Sequence, residues 1–205
     1  MQFKRLKSYF VVILCFSFLF IQPKETTSAM NKIKSNVEAN MEFKIKYIKE
    51  EKEGVFNYSL DKISYKPLSG AQVIVIDNIS GEIITSGYSD NKGIWKTQIT
   101  VNKDHKFVYK DLGTVTTITV ADGFNETIHF NVPVSEFETL QSSDLIILHA
   151  INPSGRNEPH FEGARFHRFT VFEMLDYYAK RIGLVRQPIF NNYETPPWGL
   201  GSASK

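Results

Sequence analysis

The stretch PLSGAQVIVIDNISGEIITSGYSDNKGIWKTQI, residues 67–99, decides the fold class. Runs rich in β-branched residues alternate in it with groups of Asp, Asn, Ser and Gly. Such alternation is typical of strands joined by tight turns. The stretch therefore predicts three strands and two turns, in chain order 71–76, 77–81, 83–85, 89–93 and 94–101.

Further strands are predicted on both sides of this stretch. Upstream, Phe43, Ile45 and Tyr47 recur at every second position, which is the period of a half-buried strand. Turn signals spaced roughly every 8 to 12 residues favour an antiparallel β-sandwich over strands alternating with helices. The downstream strands are predicted at 106–110, 114–120, 127–134 and 145–148, and the last, a continuous apolar run, is expected to be covered on both faces.

One helix is predicted after the strands. Thr170 and Glu173 have the spacing of a capping box, and Gly183 suits the position just past a helix end. The helix is therefore expected at 171–182. Its apolar face is formed by residues three and four apart: Phe172, Leu175, Ala179 and Ile182.

The first 29 residues have the pattern of an export signal. A cationic start precedes an apolar run at 9–21, which is shorter than the ~20 residues that cross a bilayer as a helix. Small residues follow, so cleavage is predicted after Ala29 and the chain is expected to be secreted. An uncleaved membrane anchor is the alternative interpretation.

Charge and cysteine content limit the functions open to the exported part. The whole chain carries +2, and the leader contributes four Lys or Arg and one Glu, which leaves residues 30–205 at −1. A nearly neutral chain without a Lys/Arg cluster argues against nucleic-acid binding and against stable membrane insertion after signal removal. The single cysteine, Cys15, lies in the leader, which excludes disulfides and a Cys nucleophile from the exported part.

These patterns divide the chain into five segments. A core of this size needs no covalent staples, so one domain with tails is expected. The segments are a signal peptide at 1–29, a flexible lead-in at 30–40, a β-sandwich at 41–151, a loop plus helix at 152–183 and an irregular tail at 184–205.

The strand and turn pattern carries a resemblance to a known class of module. Ser69–Val73, Ser80–Glu82, Tyr88–Trp95 and Val120–Thr127 resemble the strand ends and turns of carboxypeptidase-regulatory-like and related prealbumin-like modules of secreted proteins. The resemblance covers about residues 65–135. It implies an Ig-like or prealbumin-like β-sandwich that serves as a non-catalytic spacer, accessory domain or binding scaffold.

A second resemblance involves the helix. Residues 165–178 resemble the helical element that stands ahead of the zinc-binding helix in some secreted metallopeptidases. The sequence contains no H-E-x-x-H motif, which such an enzyme needs to bind zinc. This resemblance therefore implies the accessory front end of a larger peptidase, cut short.

His149, His160, Glu162 and His167 are the candidate metal ligands, because imidazole and carboxylate groups suit zinc. Their spacing matches no closed zinc motif, so hydrogen-bonded loop histidines are the favoured interpretation and no cofactor is predicted. No complete catalytic motif is present, and no catalytic residue is assigned.

Two aromatic residues of the tail are candidates for ligand binding. Trp198 lies in Pro-Pro-Trp-Gly, where nothing around it is periodic, and Tyr193 lies close by. The function expected from the whole sequence is that of a secreted non-catalytic β-sandwich module. It would bind a cell-envelope glycan or protein, or act as a spacer. The alternative is a metal-dependent hydrolase, or a fragment of one, that uses His149, His160 and His167.

Overall fold

The computed structural model describes residues 35–49, 64–106, 111–136, 142–188 and 195–201. The predicted signal peptide, Tyr193 and residues 107–110 of a predicted strand lie outside these ranges. The strands are β1 (Asn36–Lys49), β2 (Ser64–Pro67), β3 (Gln72–Asp77), β4 (Ile83–Tyr88), β5 (Ile94–Asn102), β6 (Leu112–Val120), β7 (Thr127–Ser135), β8 (Ser142–Leu148), β9 (His160–Glu162), β10 (Val185–Arg186) and β11 (Trp198–Gly199). The helix is α1 (Arg168–Arg181).

The larger strands form two sheets. In the first, β1 is the central strand: β5 and then β2 pair antiparallel along one side of it, and β8 pairs parallel along the other. The second has the order β4-β3-β6-β7-β9 and is antiparallel except for the β7–β9 pair. The predicted fold class, a mainly β sandwich followed by one helix, is confirmed, with two parallel pairs added. Among the described residues no helix has the length and hydrophobicity to cross a membrane.

The first core lies between the two sheets. Phe43 of β1 is fully buried there and stacks on the ring of Trp95 with 5.2 Å between the centroids. The alternation of buried positions in β1 continues upstream through Met41, Ala39 and Val37. The flexible lead-in predicted for residues 30–40 is therefore wrong from Asn36 onward. Residues 37–40 alternate between buried and exposed positions, which is the period of two that buries one face of a strand.

A second core lies on the opposite face of the second sheet. Helix α1 covers this face, and Val171 and Leu175 of the helix pack with sheet residues such as Ile74 and Ile118. Both β3 and β6 are consequently buried along their whole length. The molecule thus has three layers: sheet, sheet and helix.

The run 145–148 was predicted to be covered on both faces, but the strands that are covered in this way are β3 and β6. In β8, Leu148 is fully buried but Leu145 is 51% exposed, so the run 145–148 contributes only one face to the core. A short apolar run does not reveal by itself whether a second layer covers it. Helix α1 supplies that second layer over β3 and β6 instead.

The helix begins earlier than the predicted capping box. His167 is the N-cap, and its Nδ1 accepts a hydrogen bond from the backbone N–H of Phe169 at 3.4 Å. The predicted end is correct, because Gly183 has φ +77° and the N–H of Leu184 donates to the carbonyl of Ala179 at 3.0 Å. This is the Schellman arrangement that glycine favours at a helix end.

The segment after the helix was predicted to be irregular, but β10 and β11 pair antiparallel within it. Buried polar groups hold this pair against the second sheet. The Gln187 amide donates to the carbonyls of Trp198 at 2.8 Å and Phe124 at 3.0 Å, and the N–H of Trp198 donates to Glu126. Burial raises the pKa of Glu126 above its ordinary value. The bonds to Phe124 and Glu126 join residues more than sixty positions apart, so local sequence patterns do not reveal them.

A polar seam connects the two sheets where β8 lies beside β7. Asp144 of β8 accepts a hydrogen bond from Thr117 at 3.2 Å and contacts Nδ1 of His129 at 2.7 Å. Burial lowers the pKa of His129, but the hydrogen bond and charge of Asp144 outweigh it and raise that pKa above its ordinary value. The seam therefore favours a protonated His129.

Shortening leucine side chains in β8 tests the one-sided burial of this strand. We expect Leu148→Ala to lower the free energy of unfolding by about 2–5 kcal/mol, because it leaves a cavity in the first core. Leu145→Ala is the matched control and should change it by no more than about 0.5 kcal/mol, since half of that side chain is already exposed. Urea unfolding measures both, and equal losses would contradict the assignment of faces.

The polar seam predicts a pH dependence of stability. Because the folded state holds the His129 proton more tightly than the unfolded state, its contribution is fully present below the unfolded pKa of about 6.5 and is lost as the pH rises through the raised folded pKa. The unfolding free energy of the native chain should therefore fall, relative to His129→Gln, from about pH 6.5 upward. Parallel pH profiles of the two proteins, measured by urea unfolding, would rule out this contribution.

Candidate functional site

The structure brings together some of the predicted metal ligands and separates others. The rings of His149 and His160 lie with 5.2 Å between their centroids, and Nε2 of His160 lies 3.1 Å from Oε1 of Glu162. His167 instead caps α1. Within the described ranges, no group of three or more His, Cys, Asp or Glu side chains is arranged to hold a metal ion.

The predicted binding residue Trp198 lies inside the fold. Its side chain is 6% exposed and belongs to the second core, and the guanidinium of Arg186 stacks over its ring at 3.9 Å. Its indole N–H donates to Asp176 at 3.1 Å. A ligand-binding role at the surface requires an exposed ring, and the Trp198 ring is not exposed.

A cavity with a volume of 360 Å³ lies where α1 meets one end of the second sheet. Two irregularities of strand pairing coincide with it. In β4, Ile84 is an extra residue opposite the step from Val75 to Ile76. In β7, Phe130 and Asn131 together face the single residue Thr116 of β6.

The two bulges share one row of the sheet, because Ile76 of β3 pairs directly with Thr116 of β6. Bulges bend a strand and re-aim its side chains, and they are common next to functional sites. Asn131 has φ +57°, and among the described residues it is the one non-glycine position with positive φ. Asparagine is one of the few residues besides glycine that adopt this conformation readily, so the residue type suits the bulge.

One wall of the cavity is polar. Asn78 accepts a hydrogen bond from Thr116 at 2.7 Å and donates one to Asn131 at 3.2 Å. The Asp77 carboxylate accepts from the N–H of Ile79 at 2.7 Å, and Asp104 accepts from Thr114 at 3.1 Å. Further polar groups of the lining belong to Thr114, Thr116 and Lys106. These contacts fix the directions of several amide and carboxylate oxygens.

The opposite wall is apolar and largely aromatic. Phe166 is 48% exposed, and its ring packs edge-on against Phe130 with 4.8 Å between the centroids. Tyr178 of α1 donates its hydroxyl to the carbonyl of Gly81 at 2.8 Å, and burial raises the pKa of this phenol. Met174 completes this wall. The cavity thus combines an aromatic surface with oriented oxygens, as small-molecule sites commonly do.

Sequence reasoning missed this cavity. Asp77 and Asn78 have the turn-forming role expected of them, but their side chains also line the site. Asn131 lies within the predicted strand 127–134, whose regular alternation of apolar and polar residues gave no indication of a bulge. The signal that the sequence did contain is a polar residue among apolar neighbours in β7, which is too common to identify a site.

Comparison with known proteins identifies no family. No protein-family model matches the chain, and no curated protein matches it. Among solved structures, the chain is similar to a minor pilin of Streptococcus agalactiae, with 10% identity, a TM-score of 0.32 and coverage of 63% of this chain and 49% of the pilin. It is also similar to the shaft pilin SpaA of Lactobacillus rhamnosus GG, with 11% identity, a TM-score of 0.29 and coverage of 56% and 50%. The chain spans about half the length of each pilin chain.

Substitution of Asn131 tests the strain at the cavity. We expect Asn131→Ala to lower the free energy of unfolding by about 1–2 kcal/mol, because alanine is disfavoured at positive φ and lacks the amide. Asn131→Gly keeps the backbone conformation available and should cost less. Thermal and urea unfolding of the two variants measure the difference. A glycine variant at least as unstable as the alanine variant would show that the backbone is not constrained there.

Proposed function

We propose that the chain is exported and acts at the cell surface or in the medium as a non-catalytic binding module, with the cavity between α1 and the second sheet as its ligand site. The observation that carries this proposal is the coincidence of two strand bulges, a positive-φ asparagine and an aromatic wall around one cavity. The leader at residues 1–29, with its cationic start and apolar run, supports export.

The chemistry of the cavity favours a hydroxyl-rich ligand such as a sugar unit of a cell-envelope glycan. Oxygens of Asp77, Asn78 and Asp104 lie on one wall and have lone pairs that accept hydrogen bonds from hydroxyl groups. The ring of Phe166 offers an apolar surface for the C–H face of a sugar. Lys106 offsets part of the negative charge of the carboxylates, which suits an uncharged ligand better than a strong cation or anion.

The metallopeptidase alternative gains no support from these contacts. Residues 165–178, which carried that resemblance, contribute the N-cap of α1 and the residues with which the helix covers the second sheet. We therefore assign this segment a structural role, together with the aromatic wall that Phe166 and Met174 provide.

Glycan binding at the cavity can be measured on the tag-free chain from residue 30 onward. Soluble oligomers of N-acetylglucosamine and of glucose serve as probes, and backbone amide NMR reports the residues affected. We expect shifts concentrated at Asn78, Asn131 and Phe166. The Phe166→Ala variant should bind roughly tenfold more weakly, because the loss of one stacked aromatic amounts to about 1.4 kcal/mol.

Phe169→Ala is the matched control for this experiment. Phe169 is 64% exposed and lies near Phe166 in sequence, but it does not line the cavity. Its variant should bind as the native chain does. Shifts spread over the surface, or equal losses in the two variants, would count against the cavity as the binding site. Failure of every oligosaccharide, and of intact cell-wall material in a pull-down, would refute the proposed ligand class.

A further inference from the structure

A second concave region lies where His149 and His160 approach each other. We call it the histidine groove; its volume is 410 Å³, and it is bordered by Asn125, His149, His160 and the loop from Asn152 to Pro159. None of these residues lines the cavity described above. The groove is therefore independent of the proposed glycan site.

Most polar groups of the groove are already engaged with one another. The Asn157 amide donates to the carbonyl of Asn152 at 2.8 Å and accepts from the Asn152 N–H at 2.8 Å, which closes the loop on itself. Glu158 forms ion pairs with both Arg156 and Arg168. These groups shape the groove and have their charges matched within the protein.

Asn125 is the exception. Its side chain is 7% exposed, and its Nδ2 points toward the carbonyls of His149 and Ala150 at 3.5 and 3.4 Å. With the amide nitrogen directed there, its Oδ1 is buried without a hydrogen-bond partner among the described residues. A buried acceptor without a partner costs free energy, so it calls for an explanation such as a bound water or ion.

The two histidines border the groove that Asn125 also lines. A centroid separation of 5.2 Å allows one nitrogen of each ring to approach a common ion at the roughly 2.0–2.1 Å of zinc–imidazole bonds. Glu162 occupies Nε2 of His160 at 3.1 Å, and this contact leaves Nδ1 of the same ring for another partner. A carboxylate on the second ring nitrogen is the usual support of a metal-binding histidine.

We propose that the histidine groove binds one divalent transition-metal ion, with zinc as the type case, through His149, His160 and the Asn125 carbonyl oxygen. Water completes the coordination. Nitrogen and oxygen ligands of this kind suit zinc, copper and nickel. Glu162 acts as a positioning residue for His160.

Zinc titration of the metal-stripped, tag-free chain from residue 30 onward tests the site. Calorimetry should give one zinc per chain. His149→Ala and His160→Ala should each weaken binding at least tenfold, which corresponds to about 1.4 kcal/mol. Both side chains are exposed, so the variants should keep the native melting temperature in the absence of metal. His105→Ala is the matched control, because His105 is an exposed histidine outside the groove and its loss should leave zinc binding unchanged.

Imidazole NMR supplies a second measurement that does not depend on variants. Addition of zinc should shift the ring nitrogens of His149 and His160 and leave those of His105 in place. Asn125→Asp should tighten binding, because a carboxylate replaces the amide oxygen at the ion. Zinc binding that is absent at millimolar concentration, or that survives both histidine substitutions, would overturn the proposal. The glycan experiment is unaffected by either result, since the two sites share no residue.

Discussion

The structure depends on a sheet that is buried on both of its faces. Strands β3 and β6 bury every residue, so neither side of the second sheet can be left in water. The first sheet covers one side, and the strand β1 contributes Phe43 and Ile45 to that contact. The other side needs a separate cover, and the chain supplies it after residue 160 with α1 and the β10–β11 pair. A two-layer sandwich would leave Ile74 and Ile118 exposed to solvent.

This requirement explains why the last third of the chain is held by buried polar groups. A helix and a short strand pair have little backbone bonding to the sheet they cover, so side chains must fix their position. Gln187 and Glu126 do so through bonds to backbone groups of the tail and of the sheet. Where the two bulges interrupt the pairing of the sheet, Met174 and Tyr178 of α1 cover it incompletely. The space left between the helix and the sheet is the cavity, which therefore follows from imperfect cover at one row of the sheet.

Local chemistry explains which features the sequence predicted. The strands of the central stretch, the sandwich class and the helix end at Gly183 depend on residues that are neighbours along the chain. The helix start was misplaced because the N-cap is His167, a residue less common in that role than Thr170. Trp198 was misjudged because its buried partners, Asp176 and Arg186, come from other elements. The cavity is lined by residues that lie between 76 and 178 in the sequence, and no local sequence pattern predicts that such distant residues come together.

The partners of buried polar groups distinguish those that build the fold from those that suggest a ligand. In the tail, Gln187 uses its amide oxygen for Gly123 and its nitrogen for Trp198 and Phe124, so both polar atoms have partners within the protein. In the histidine groove, Asn125 satisfies its nitrogen alone, and its oxygen is buried without a hydrogen-bond partner among the described residues, in a groove that two histidines also line. A buried oxygen that accepts no hydrogen bond costs free energy. A cation or a proton donor bound in the groove would remove that cost, which is the physical basis for placing an ion there.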